Sequence, residues 1–310
     1  METTIDVARP QVLFQRASTS VADQRIFVAK LAVATILVAA GGFLALRPEM
    51  AVSIAGMVLL GAVFTHMVEL QHQCLHHSAF IRSRLHRLVG VPLGLPMLVS
   101  YSHYRVRHLQ HHKYLGTSQD SEFFGFDIRK PVTYRALLRG LFDFRRLVIV
   151  LREIVRSYRG TWEYDMGQIG ERRKREIVNE YRAISLLLVA VLGLLVTDFA
   201  EQVARLWLIP LIFATPMHFL VELPEHILCD TDTTDVLRNT RSIRGSRLST
   251  WFTNGNNLHI EHHAAMAVPI NRLGERHVDV ERHAKYVQRS YPSFYRLVLQ
   301  EAARNSRVTG

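Results

Sequence analysis

The stretch Met50–His77, MAVSIAGMVLLGAVFTHMVELQHQCLHH, decides how the chain is read. Its first twenty residues carry one formal charge, Glu69, at their end, and the histidines His72, His76 and His77 follow at once. A bilayer core of ~30 Å needs about 20 apolar residues in helical form, so Met50–Glu69 predicts a membrane span with imidazoles at its exit. Upstream, across the turn Arg47-Pro48-Glu49, Val28–Leu46 predicts a second span running the other way. Downstream, Val203–Val221 has the same character, and Ala183–Val196 is a shorter apolar run that pairs with it. Between the pairs, Leu88–Ser100 is apolar but broken by Gly90, Pro92, Gly94 and Pro96. It is too short to cross and too interrupted for one straight helix, and predicts a segment that dips into the bilayer and returns to the same side.

Charge sets the orientation. About 20 Lys and Arg lie between Gln71 and Arg182, including Arg172-Arg173-Lys174-Arg175, and such loops stay in the cytoplasm. The expectation is that both termini and all the histidine clusters face that side. The net charge of +11 therefore needs no nucleic acid to explain it, and there is no zinc-finger spacing or basic–aromatic stripe. Cys74 and Cys229 are too few for a disulfide framework and are expected to be free thiols. The first twenty residues lack an apolar core and cleavage site, so no signal peptide is expected. Together these features predict an all-α integral membrane fold: four transmembrane helices, a re-entrant segment, and a cytoplasmic helical cap. The chain reads as one domain, 1–310, with a polar N-terminal segment (1–24) and a basic C-terminal one (277–310).

The 16 histidines are unevenly placed. His72-Gln73-Cys74-Leu75-His76-His77 ends the second span, His108-Leu109-Gln110-His111-His112 follows the dipping segment, and His259-Ile260-Glu261-His262-His263 follows the fourth span. Random placement would give roughly 0.04 H-x-x-H-H patterns per chain, and there are two. On a helix, residues i, i+3 and i+4 share a face, so each cluster can aim two or three imidazoles at one point. Neutral imidazole ligates iron, zinc and copper. Four spans and one dip bring all three clusters to one membrane face; one span fewer would divide them.

These motifs resemble those of the membrane fatty acid desaturase and hydroxylase family: HQCLHHSAF its first histidine box, HLQHHKYLGTSQDSE its second with an acidic tail, and NLHIEHH its third. The resemblance implies two irons held by eight or nine histidines, four membrane spans, and a reaction that uses O2 and two electrons. It would make His72, His76, His108, His111, His112, His259, His262 and His263 ligands, with His226 of the Glu225-His226 pair completing the set. The chain departs from the family where Leu75 stands for a common Gly, and where Ala264-Ala265-Met266-Ala267-Val268-Pro269 replaces a common Leu-Phe-Pro.

Around these ligands, Asp120, Glu122 and Glu225 are candidates for orienting imidazoles, as carboxylates behind metal ligands often do. Asn257 is a candidate for holding a water on a metal, and His77 for a supporting role beside His76. Glu222 and Glu261 are further carboxylates next to ligands. His66 and His103 read as packing or near-site residues, and His86, His218, His277 and His283 as surface or structural. Cys74 is two positions from both His72 and His76, which turns it off their face. No Gly-rich nucleotide fingerprint or fused electron carrier is present, so electrons are expected from a separate ferredoxin-like carrier with its reductase. The substrate is expected to be a lipid or acyl-type molecule entering from the bilayer. Desaturation is the favoured reaction and hydroxylation or ketolation the alternative; a zinc-dependent membrane hydrolase or a non-enzymatic metal-binding protein represents other classes.

Overall fold

The computed structural model describes residues 12–120 and 127–308. Glu122 lies outside the described residues. The chain is mostly helical, and four of its helices are long and apolar enough to cross a membrane.

Helix α1 (Val21–Ala45) starts seven residues before the apolar run, because Ser20 and Asp23 form a reciprocal capping box. Asp23 is buried and also accepts from Asn271 Nδ2 at 2.7 Å, so this start is tied to the distal part of the chain. The short turn 46–49 returns the chain into α2 (Met50–Leu75). At the turn, Ser53 Oγ donates to Ala45 O at 2.6 Å. Gly56 lets the two helices approach closely: a Cβ there would lie 2.2 Å from Ala45 N.

Helix α2 is the central element. Its apolar window is 56% buried, against 17–22% in the other three candidate spans, since α1, the interrupted segment 83–97 and the fourth candidate span all pack on it. The outward sides of the flanking spans carry exposed large apolar residues such as Ile36, Phe43, Leu186, Val189 and Leu192.

The interrupted segment after α2 forms helix α3 (Ser83–Gly94) and a single 3-10 turn, Leu95–Met97. It runs along α2 from the level of Cys74, which touches the Gly90 position, to that of Phe64 and Val68, which cluster with Met97. Trp207 Nε1 donates to Pro96 O at the tip. Leu98, at φ +56°, then reverses the chain. Helix α4 (Tyr101–Tyr114) starts back beside Gly90, with Tyr101 Oη donating to Cys74 O at 3.0 Å. The segment is thus a hairpin that leaves and returns at one end of α2.

Helices α5 (Tyr134–Leu141) and α6 (Arg145–Arg159) are amphipathic and expose Leu138, Phe142, Val148, Leu151 and Val155 among arginines. Helix α7 (Glu171–Leu195) is longer than the apolar run that announced it, because the charged stretch 171–182 is helical too and completes a full-length span. Its buried Glu180 accepts from Ser100 Oγ, Ser102 N and Oγ, and Arg87 Nη2, which fixes the start of α4. Helix α8 (Ala200–Glu222) contains a π-helical turn, Ala204–Leu208, just before Pro210, a usual place for a helix to accommodate the missing N–H.

The remainder packs as short helices, among them His259–Ala264 and His277–His283, closed by the C-terminal helix Tyr291–Val308. The helical expectation holds, with one small addition. Ser242–Ile243 and Val287–Gln288 form a two-residue parallel strand pair, because each segment pairs backbone groups that no helix uses.

Candidate metal centre

Three elements and one loop deliver nine imidazoles to one buried place. His72 and His76 stand one turn apart at the end of α2, and His108, His111 and His112 lie on α4. His259, His262 and His263 come from the short helix His259–Ala264, and His226 from the loop after α8. They resolve into two sets. His72, His76, His108, His112 and His262 bring one ring nitrogen each within 4.8 Å of one another, and so do His111, His226, His259 and His263.

The second and third boxes are therefore divided between the sets. On α4, His108 and His112 face the five-histidine set while His111, three positions from His108, faces the other. The sets abut, with His112 stacked on His263 at 4.0 Å between centroids. Within the first, Nε2 atoms approach at 2.7 Å (His72–His108), 2.8 Å (His76–His108), 3.0 Å (His108–His112) and 3.1 Å (His112–His262). In the second, His226 Nε2 lies 3.1 Å from that of His111 and 3.2 Å from that of His259, and His259 Nε2 lies 3.1 Å from that of His263.

This arrangement fits a divalent metal ion in each set. Neutral imidazoles protonated at Nδ1 point Nε2 lone pairs at one another, and a cation among them turns that repulsion into ligation. Burial first, and then the neighbouring imidazoles, hold His76, His108, His112, His259, His262 and His263 well below the ordinary histidine range. His226 is pushed down to about 3 by the same causes. The neutral, ligating form is thus the stable one.

What stands behind the rings differs between sets. In the four-histidine set, His111 Nδ1 donates to Asp120 Oδ1 at 2.8 Å, His226 Nδ1 to Asn239 O at 3.1 Å, and His259 Nδ1 to Asn256 Oδ1 at 2.9 Å. Each bond keeps the proton on Nδ1 and leaves Nε2 bare. In the five-histidine set, the buried Nδ1 atoms of His72, His76, His112 and His262 have no hydrogen-bond partner among the described residues.

The family model for fatty acid desaturases matches residues 48–295, which contain all nine histidines. The chain belongs to the fatty acid desaturase family. No curated protein matches its sequence significantly.

Other residues singled out in the sequence occupy varied places in this desaturase-family chain. Asp120 is buried against His111, and Glu225 lies with Oε2 3.3 Å from His259 Nε2 and Oε1 accepting from Asn256 Nδ2 at 2.6 Å. Asn257 is turned the other way, donating to Ile243 O and accepting from Thr253 Oγ1, while its neighbour Asn256 faces the centre. His77, at φ +56°, stacks on His86 at 4.6 Å and belongs to neither set. His86 is buried and bonds Phe80 N and Ser83 O. His103 pairs with Tyr181 Oη, and His66 stacks on Trp251. His218 is buried, with Nδ1 3.1 Å from Glu222 Oε2. Cys74 and Cys229 are buried free thiols outside both sets. Sequence reasoning passed over Asn256, Tyr104 and Glu69. Glu69 is buried with one carboxylate oxygen unpartnered among the described residues, and an ionisable residue inside a predicted span was the signal that could have found it.

Glu261 lies between His259 and His262 in sequence but points away from both sets. Its Oε2 accepts from Ser242 Oγ and its Oε1 from His277 Nδ1, both at 2.5 Å. The bond to Glu261 raises the His277 pKa above the ordinary histidine value, which burial opposes. Because the folded value is the higher one, the stability this pair adds is fully present below about pH 6.5, the unfolded value, and is lost as pH rises through the raised folded value. The difference in melting temperature between the native chain and His277→Gln should therefore be larger at pH 6 than at pH 9.

Proposed function

We propose that this chain is an O2-dependent membrane oxidoreductase that introduces a C=C bond into an acyl chain or acyl-like metabolite, at two iron ions held by its nine histidines. The observation that carries the reading is the pair of abutting, buried, all-imidazole sets within a desaturase-family chain. Nine ligands exceed the three protein ligands and open position typical of a hydrolytic zinc site. When iron is bound, the centre supplies the means to reduce O2 and break an unactivated C–H bond.

The protein's own part is positioning and exclusion. His72, His76, His108, His112 and His262 would hold one ion, and His111, His226, His259 and His263 the other. Asp120, Asn239 O and Asn256 keep protons on the Nδ1 atoms of three of these rings. Tyr104 stacks along His72 and packs edge-on against His108, forming a wall between the five-histidine set and the space beyond.

The return of the α3 hairpin to its starting end of α2 supports a re-entrant segment; with four spans this would bring the centre and both termini to one face, and the basic loops favour the cytoplasmic one. The arginine-flanked apolar faces of α5 and α6 suit helices lying in the membrane interface. The basic run 172–175 on that side suits an acidic, ferredoxin-like electron donor.

Metal content of protein purified in detergent, read by elemental mass spectrometry, tests the proposal together with oxygen uptake. About two irons per chain are expected, with O2 consumption dependent on reductant and an acyl substrate, and a product lighter by two hydrogens. A product heavier by one oxygen would make the enzyme a hydroxylase. No uptake after iron reconstitution would refute the oxidase reading.

A further inference from the structure

A cavity of about 460 Å3 adjoins the metal centre, between α4, α5, α6, α7 and α8. Its inner wall includes Val68, Tyr104, His218 and Glu222, and Tyr104 is the residue that packs against His72 and His108. Leu98, Val150 and Phe219 supply apolar lining. Cavities of this size and character hold small ligands, oriented by a few polar groups.

The charges in the lining are mostly spoken for. Arg107 is bidentate to Asp165 at 2.7 Å, and Arg152 and Arg156 both meet Glu153, at 3.2 and 3.4 Å. Glu222 is engaged by His218. Arg146 differs. It is half-buried in the cavity wall and makes no hydrogen bond or ion pair with any described residue, although Tyr104, Tyr181 and Glu222 lie within electrostatic reach. A guanidinium offers five N–H donors in a fork that matches a carboxylate or phosphate. An apolar guest filling the cavity would strip water from that fork and return nothing.

We propose that the substrate carries an anionic oxygen group, a carboxylate or phosphate, which Arg146 holds inside the cavity, placing the substrate's acidic end in the same chamber as the wall that borders the metal centre. This rests on reading that centre as the site of oxidation, and narrows the substrate from any acyl chain to one with an acidic end inside the cavity. A phospholipid acyl chain, whose charge stays at the membrane surface, would leave Arg146 without a partner.

The test is binding of decanoate, decyl phosphate and methyl decanoate to the full chain in detergent, by equilibrium dialysis. The native protein should prefer an anionic probe over the ester by about tenfold or more, the worth of one charge-assisted hydrogen bond. Arg146→Gln should abolish the preference and Arg146→Lys should retain part of it. Each affinity is referred to free probe by subtracting that probe's partition into protein-free micelles, measured at the same detergent concentration. Preference for decanoate over decyl phosphate would identify the group as a carboxylate, and the reverse as a phosphate. Equal binding of acid and ester by the native protein, or an unchanged preference in a folded Arg146→Gln variant, would overturn the proposal. Since binding needs no turnover, that failure is separable from the oxidase reading: iron content and oxygen uptake would stand unaffected. An intact preference in a protein without oxygen uptake would retire the oxidase and leave the anion site.

Discussion

Replacing His111 with alanine should abolish turnover and bring iron content down toward one ion per chain. His111 belongs to the smaller set, so its loss leaves His226, His259 and His263, and it also strands the buried Asp120 carboxylate that its Nδ1 proton satisfies. Changes behind a ligand already cost about 10- to 100-fold in metal affinity, so removal of the ligand itself should exceed that. His262→Ala should be equally inactive but leave four imidazoles in its set, and so retain more metal than His111→Ala. Elemental analysis of both variants beside an oxygen-uptake assay reads the contrast. Full activity in either would remove that residue from the ligand set.

The second large effect is expected at Arg241, which touches no metal ligand. This arginine is 1% exposed, and its guanidinium donates to Pro224 O at 2.9 Å, Ile227 O at 2.6 Å and Leu228 O at 3.5 Å, with Phe294 5.0 Å away over its face. Those carbonyls belong to the loop that carries His226, whose Nδ1 is bonded to Asn239 O two residues before Arg241. Arg241→Met keeps most of the bulk and removes the donors. Hydrogen bonds from a charged group contribute about 1.5–3 kcal/mol each, so a loss on the order of 3 kcal/mol is expected, seen as a melting temperature lower by several degrees. Iron should be lost from the four-histidine set before the other. An unchanged melting curve with full iron content would show that the loop holds its shape without the arginine.

The spans and the histidine clusters were legible in the sequence because both signals are local. Twenty apolar residues announce a helix wherever they lie, and His at i, i+3 and i+4 shares a face whatever the partner. The division of the nine imidazoles into five and four was not legible. It depends on the angle at which α4 and the His259–Ala264 helix approach α2, and that angle is set by contacts such as Glu180 with Ser100 and Ser102, 78 to 80 residues apart in sequence. The same reason explains why Asn257 was singled out and Asn256 was not: adjacent residues in a tight turn face opposite ways, and spacing alone does not say which. Ala183–Val196 looked too short because hydropathy does not register the charged but helical turns before it. Arg241 and Arg146 were lost among 38 basic residues, since a buried guanidinium has no local pattern.

The five-histidine set joins His72 to His262, well over half of the chain, and the four-histidine set joins His111 to His263, about half of it. During synthesis no nascent segment shorter than about that length owns a complete set. The first two spans can enter the membrane with His72 and His76 already in place while their partners are still unmade. On the proposed iron reading, metal loading would then be a closing event, following insertion of the last span, and a chain stalled before His259 would be inserted with both sets incomplete.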